Sequence, residues 1–128
     1  MYIYYNPNPY RRTTSDCVIR AITKLTNEDW DTVFLRLSLV AYEKKDSLEK
    51  SYVWGAYLKR LGFKRRFVPD TCPDCYTVAE FCRDHPYGVY LLRIDGLTDG
   101  HVVTVVNGDW YDSWDSGNEV VDYYYWRA

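Results

Sequence analysis

Three observations predict an α+β domain. Helical hydrophobic periods fill the first half of the chain, alternating periods fill the second, and an Asn-Gly pair joins two of the alternating segments. At 128 residues the chain is expected to form one domain, residues 1–128, long enough to bury roughly two thirds of its unfolded surface. N-terminal helices are expected to pack on a C-terminal antiparallel β-sheet.

"YIYY" reads as a short strand, and "NPNP" breaks it into turns. Asp16 is placed as the N-cap of a first helix whose Val18, Ile19, Ala21, Ile22 and Leu25 bury one face. Thr26 or Asn27 is expected to cap a second helix, "EDWDTVFLRLSLVAYEKK", with Trp30, Val33, Phe34, Leu37 and Val40 or Ala41 as its apolar stripe. A third helix, "SYVWGAYLKRLGF", is closed by Gly62. "KRRFVP" is then a short strand and "TCPDC" a turn. Thr77 caps a brief helix, "VAEFCRDH", which Pro86 stops. The strands "GVYLLRI", "HVVTVV", "DWYDSWD" and "VVDYYYW" follow, the second and third joined across Asn107-Gly108.

Composition narrows the function classes. Sixteen Lys and Arg stand against eighteen Asp and Glu, a formal charge of -2, so no broad positive field invites nucleic acid. The basic run "KRLGFKRRF" reads as a solvated face or a strand edge. No apolar run is long enough to span a membrane, and "MYIYYNPNPYRR" lacks the order of a signal peptide. A cytoplasmic setting is therefore expected, with Cys17, Cys72, Cys75 and Cys82 as thiols or metal ligands rather than disulfides.

Cys17 stands at the first turn of its helix. The dipole and free N–H groups of such an end, with a nearby imidazolium, make thiolate available. The same N–H groups can hold a developing oxyanion, with Asp16 and Thr14 as the neighbouring candidates. Of the two histidines, His85 ends a short helix, where the ring commonly caps a carbonyl. His101 opens a strand at the mouth of the sheet. If Asn107-Gly108 is a two-residue turn, Val106 pairs with Asp109, His101 lies opposite Trp114, and Asp112 is the same-face diagonal neighbour of His101. A three-residue loop instead puts Asp115 opposite His101. Asn-Gly prefers the shorter turn, which favours Asp112 and leaves Asp115 as the alternative. Arg20, beside the apolar helix positions, is read as the partner of a carboxylate on the packed sheet.

"DCVIRAI", followed by "GHVVTVV" and "WYDSWDSG", resembles the papain-like cysteine peptidase superfamily in its compact bacterial and phage C39-like form. The resemblance covers most of the chain in its order. It implies Cys17 as nucleophile, His101 as general base and acid, and Asp112 or Asp115 as the orienting residue. It also implies cleavage of a peptide, isopeptide or related amide bond without metal or organic cofactor.

Other readings stand beside this one. Cys17 as a core thiol and His101 as a structural ring would leave a papain-like domain that binds a protein partner. Cys72, Cys75, Cys82 and His85 form C-x2-C-x6-C-x2-H, a rival zinc set. Its middle gap is short for a zinc module, and Cys82 falls in an apolar stripe. A redox role for Cys72 and Cys75 lacks a βαβ context. The Tyr-rich head and tail read as surface strand residues, or as a wall for a protein partner.

Overall fold

The computed structural model describes residues 1–69, 74–95 and 100–128. Among them are ten elements: β1 (Tyr2–Tyr4), α1 (Cys17–Thr26), α2 (Trp30–Lys44), α3 (Ser51–Arg60), β2 (Lys64–Phe67), α4 (Val78–Asp84), β3 (Val89–Asp95), β4 (His101–Val106), β5 (Asp109–Asp112) and β6 (Val120–Trp126). The fold is α+β. Its six-stranded sheet has the order β1-β5-β4-β3-β6-β2.

Both faces of the sheet are covered, and alternation along the strands sorts their side chains. Leu91, Val102, Tyr123 and Tyr125 pack with α1, α2 and α3. Leu92, Val103, Val105, Val121 and Tyr124 pack with Val78, Phe81 and Cys82 of α4. Each large side chain buried this way contributes about 1.5–3 kcal/mol relative to exposure. One hydrogen bond fixes the helix layer to the sheet: Thr104 Oγ1 of β4 donates to Ala21 O of α1 at 2.5 Å. Cys17 lies four residues upstream of that point on the helix, and His101 three residues upstream on the strand.

The β4–β5 turn is a two-residue one, with Val106 opposite Asp109. Asn107 and Gly108 have φ of 48° and 82°, the paired positive values that match the twist of a hairpin. The α4 start is also as expected, with a reciprocal capping box between Thr77 and Glu80.

Other expectations are corrected. The sheet is mixed, not wholly antiparallel, because β1 pairs parallel with β5; the whole helical region intervenes between them, so no hairpin constrains their direction. α2 is capped by Asp29, whose Oδ1 accepts from Thr32 N–H at 2.7 Å, not by Thr26 or Asn27. Asn27 instead ends α1 in the left-handed region at φ 58°. Phe34 is part-exposed, stacked on Trp30 at 5.1 Å. β5 stops at Asp112, three residues short of the strand to Asp115 that "DWYDSWD" predicts. Tyr123, Tyr124 and Tyr125 are buried, so the C-terminal tyrosines are core residues, of which Tyr124 and Tyr125 each also line a cavity.

Candidate active site

Cys17 is the first residue of α1 and is half-buried at the rim of the helical core. At a helix start the first N–H groups have no intrahelical acceptor, so those of Cys17, Val18 and Ile19 converge beside the thiol. Asp16 occupies the N-cap position but makes no cap bond with its side chain. Its carboxylate turns inward: Oδ1 accepts from Arg20 at 2.9 Å and Oδ2 from the Trp30 indole N–H at 2.9 Å. Its backbone N–H donates to Thr14 O at 2.8 Å. That bond uses the one donor of Asp16, which corrects Asp16 as an oxyanion donor, while Thr14 keeps its own N–H and hydroxyl.

His101 is 8% exposed and Asp112 is fully buried. The His101 Nε2 lies 2.5 Å from Asp112 Oδ2. The Cys17 thiol stands near enough to the ring to act on its charge beside Asp112. Burial disfavours the charged ring, but the hydrogen bonds to Asp112 and Cys17 and the charges behind them outweigh it, and the His101 pKa is pushed up to about 9. The Trp114 ring lies over the imidazole, centroid to centroid at 4.8 Å. This is the residue that the two-residue turn set opposite His101.

Asp112 makes four contacts. Oδ1 accepts from Arg20 at 3.0 Å and from Ser113 N–H at 2.7 Å. Oδ2 accepts from Ser116 Oγ at 2.8 Å as well as facing His101. Arg20 thus sits between two buried carboxylates, Asp16 and Asp112. With His101 protonated, two cations face two anions, and no charge in the cluster is left uncompensated.

The loop after β5 builds the fourth side of this cage. It can fold back because Gly117 has no side chain: a Cβ there would stand 2.6 Å from Trp110 Cζ2. Asp115 belongs to that loop, accepting from Trp110 Nε1 at 2.9 Å and Gly117 N–H at 3.0 Å. The structure therefore gathers Cys17, His101 and Asp112, and puts Asp115 elsewhere. Sequence reasoning placed Arg20 on a sheet carboxylate but missed Ser116. The only signal for it was its spacing, four residues past Asp112.

A cavity of about 720 Å³ opens beside the start of α1. Thr14, Ser15 and Asp16 form one wall, and Trp30, Phe34 and Leu48 form an apolar side.

The other sulfur atoms are accounted for differently. Burial pushes the Cys82 thiol up to about 11. Cys75 is disulfide-bonded, which corrects its reading as a thiol or zinc ligand, while Cys72 lies outside the described residues. The His85 Nδ1 faces Phe81 O at 2.9 Å, and the ring stacks on Phe81 at 3.9 Å. Among the described residues no group of three or more His, Cys, Asp or Glu could hold a metal ion, and no helix is long and apolar enough to cross a membrane.

A scan against protein-family models finds no matching family, and searches of curated proteins and of solved structures find no match.

Proposed function

We propose that this protein is a thiol hydrolase acting on a peptide, isopeptide or related amide bond through Cys17, His101 and Asp112. The observation that carries the reading is the position of His101, with one ring nitrogen on a fully buried carboxylate and the ring's charge favoured by the thiol at a helix N-terminus.

In the reaction the Cys17 sulfur, as thiolate, bonds to the substrate carbonyl carbon. The oxyanion forms against the first-turn N–H groups of α1. His101 gives its proton to the leaving nitrogen as the C–N bond breaks, leaving a thioester on Cys17. Water then attacks the thioester carbonyl and gives its proton to His101, and the acid departs as the thiolate re-forms. Asp112, fixed by Arg20, Ser113 and Ser116, holds the ring orientation through both steps. The cavity beside α1 suits an extended substrate chain on its way to the thiol.

The same order of residues underlies the resemblance to the papain-like superfamily in its compact C39-like form. The test is release of a fluorescent amine from a mixed library of peptidyl amides. Turnover lost in Cys17→Ala and His101→Ala supports the reading; turnover surviving Cys17→Ala refutes it.

One observation favours a second reading, a catalytically silent domain that binds a protein. The backbone donor just before Cys17 is taken by Thr14 O, which leaves the oxyanion to the helix N–H groups and Thr14. Absence of turnover, with Cys17 no more reactive than free cysteine, selects that reading.

A further inference from the structure

The basic run "KRLGFKRRF" has no part in the reaction, yet the fold gives it a definite setting. It ends α3, turns, and becomes β2, which closes the sheet on the side opposite β1. β2 hydrogen-bonds only to β6 among the described residues, and all four of its residues are exposed. Every second backbone N–H and C=O on its outer side is therefore free for another strand.

Of the cations here, Arg60 pairs with Glu43 at 2.8 Å, and the rest are not neutralised. Lys59, Lys64, Arg65, Arg66 and Arg127 take part in no ion pair among the described residues. Rings hold four of these five instead. Arg65 lies 4.8 Å from the Phe67 ring centroid, Lys64 and Arg66 lie 5.6 and 5.7 Å from that of Trp126, and Arg127 lies 4.4 Å from that of Phe63. A π face orients a cation and leaves its charge outward.

Charge along an edge strand serves by itself to discourage aggregation. Two cavities say more. One of about 560 Å³ lies on the α3 side, lined by Tyr52, Lys59, Phe63, Arg65 and Tyr125. Another, of about 330 Å³, lies on the α4 side, lined by Arg66, Tyr76, Phe81, His85 and Tyr124. The first is cationic and aromatic, and the second is mainly aromatic. A strand laid along β2 sends alternate side chains to these two faces.

We infer that β2 is a docking edge for an extended acidic polypeptide segment. Its carboxylates enter the cationic cavity on the α3 side, and its intervening apolar side chains enter the aromatic cavity on the α4 side. A nucleic acid fits less well. It has no main-chain N–H and C=O ladder to match the strand. β2 stands three strands from β4, roughly 14 Å away, so the inference goes beyond the proposed hydrolase and does not depend on it.

The test uses the intact protein and fluorescence anisotropy of a fluorescein-labelled octapeptide alternating Glu and Leu. Saturable binding is expected, weakened at least about tenfold by Arg65→Glu or by an alternating Lys-Leu peptide, and weakened by salt. Two further peptides carry N-methyl groups, one on its Glu residues and one on its Leu residues. At least one must lose binding, because strand addition needs main-chain hydrogen bonds on one parity. No binding, undiminished binding of both methylated peptides, or tighter binding of a single-stranded oligonucleotide overturns the inference. The peptide variants leave the protein unchanged, so the outcome does not depend on how Arg65→Glu folds.

Discussion

Asp112→Asn is the perturbation that separates orientation from charge at His101. An amide keeps the volume, and its oxygen can still accept from Arg20 and Ser113 N–H. What disappears is the negative charge facing Nε2. In the native protein that charge helps push the His101 pKa up to about 9. The gap from the ordinary 6.5 to about 9, at about 1.4 kcal/mol for each pH unit, is about 3 kcal/mol of preference for the folded, charged ring. Without the carboxylate, burial works against the charge with only Cys17 opposing it, and the midpoint should fall to about 7 or below.

The chain has two histidines, so a proton NMR titration shows two imidazole Cε1–H signals, and His101→Ala assigns them. Stability gives a second readout. A pKa raised in the folded state stabilises fully below about 6.5, and that contribution is lost as pH climbs through about 9. The urea midpoint of the native protein should therefore fall between about pH 7 and pH 10, while that of Asp112→Asn should change less over the same interval. A His101 midpoint near 9 in Asp112→Asn, or near 6.5 in the native protein, would refute the reasoning.

Arg20→Ala leaves Asp16 and Asp112 buried without their shared cation, and urea denaturation should show a loss of about 3–5 kcal/mol. Thr77→Ala removes one half of the α4 capping box and should cost about 1 kcal/mol in the same assay, with Cys17 chemistry unchanged. Gly108→Val places a β-branched residue at φ 82°, in a turn that favours glycine. It should lower stability by more than about 1 kcal/mol and broaden the His101 signal, because that turn sets the β4–β5 register.

The helical half and the β4–β5 hairpin were legible because each rests on local chemistry. Asn107-Gly108 specifies its turn without help from the rest of the fold, and that turn alone brings Asp112 to the face of His101. Apolar spacing likewise set α1 on the sheet and left Cys17 at its end. What sequence did not disclose depends on distant partners. Asp16 is a good cap by local preference, yet Arg20 and Trp30 compete for its carboxylate and win, since a buried charge needs partners more than a helix end needs a cap. The parallel pairing of β1 joins residues more than a hundred positions apart, and no periodicity encodes it. Tyr123, Tyr124 and Tyr125 look alike in sequence, but β6 lies between β3 and β2 and has helices on both faces, so rings read as surface are core.

The central claim is that His101 activates Cys17, and the rate of Cys17 alkylation tests it most directly. Without reductant, Cys75 stays in its disulfide and Cys82 stays buried, and peptide mapping by mass spectrometry reports the label on Cys17. At about pH 6 iodoacetamide should modify Cys17 at least about tenfold faster than free cysteine, and His101→Ala should abolish that advantage. A native rate no faster than free cysteine at that pH, unchanged in His101→Ala, would contradict the account.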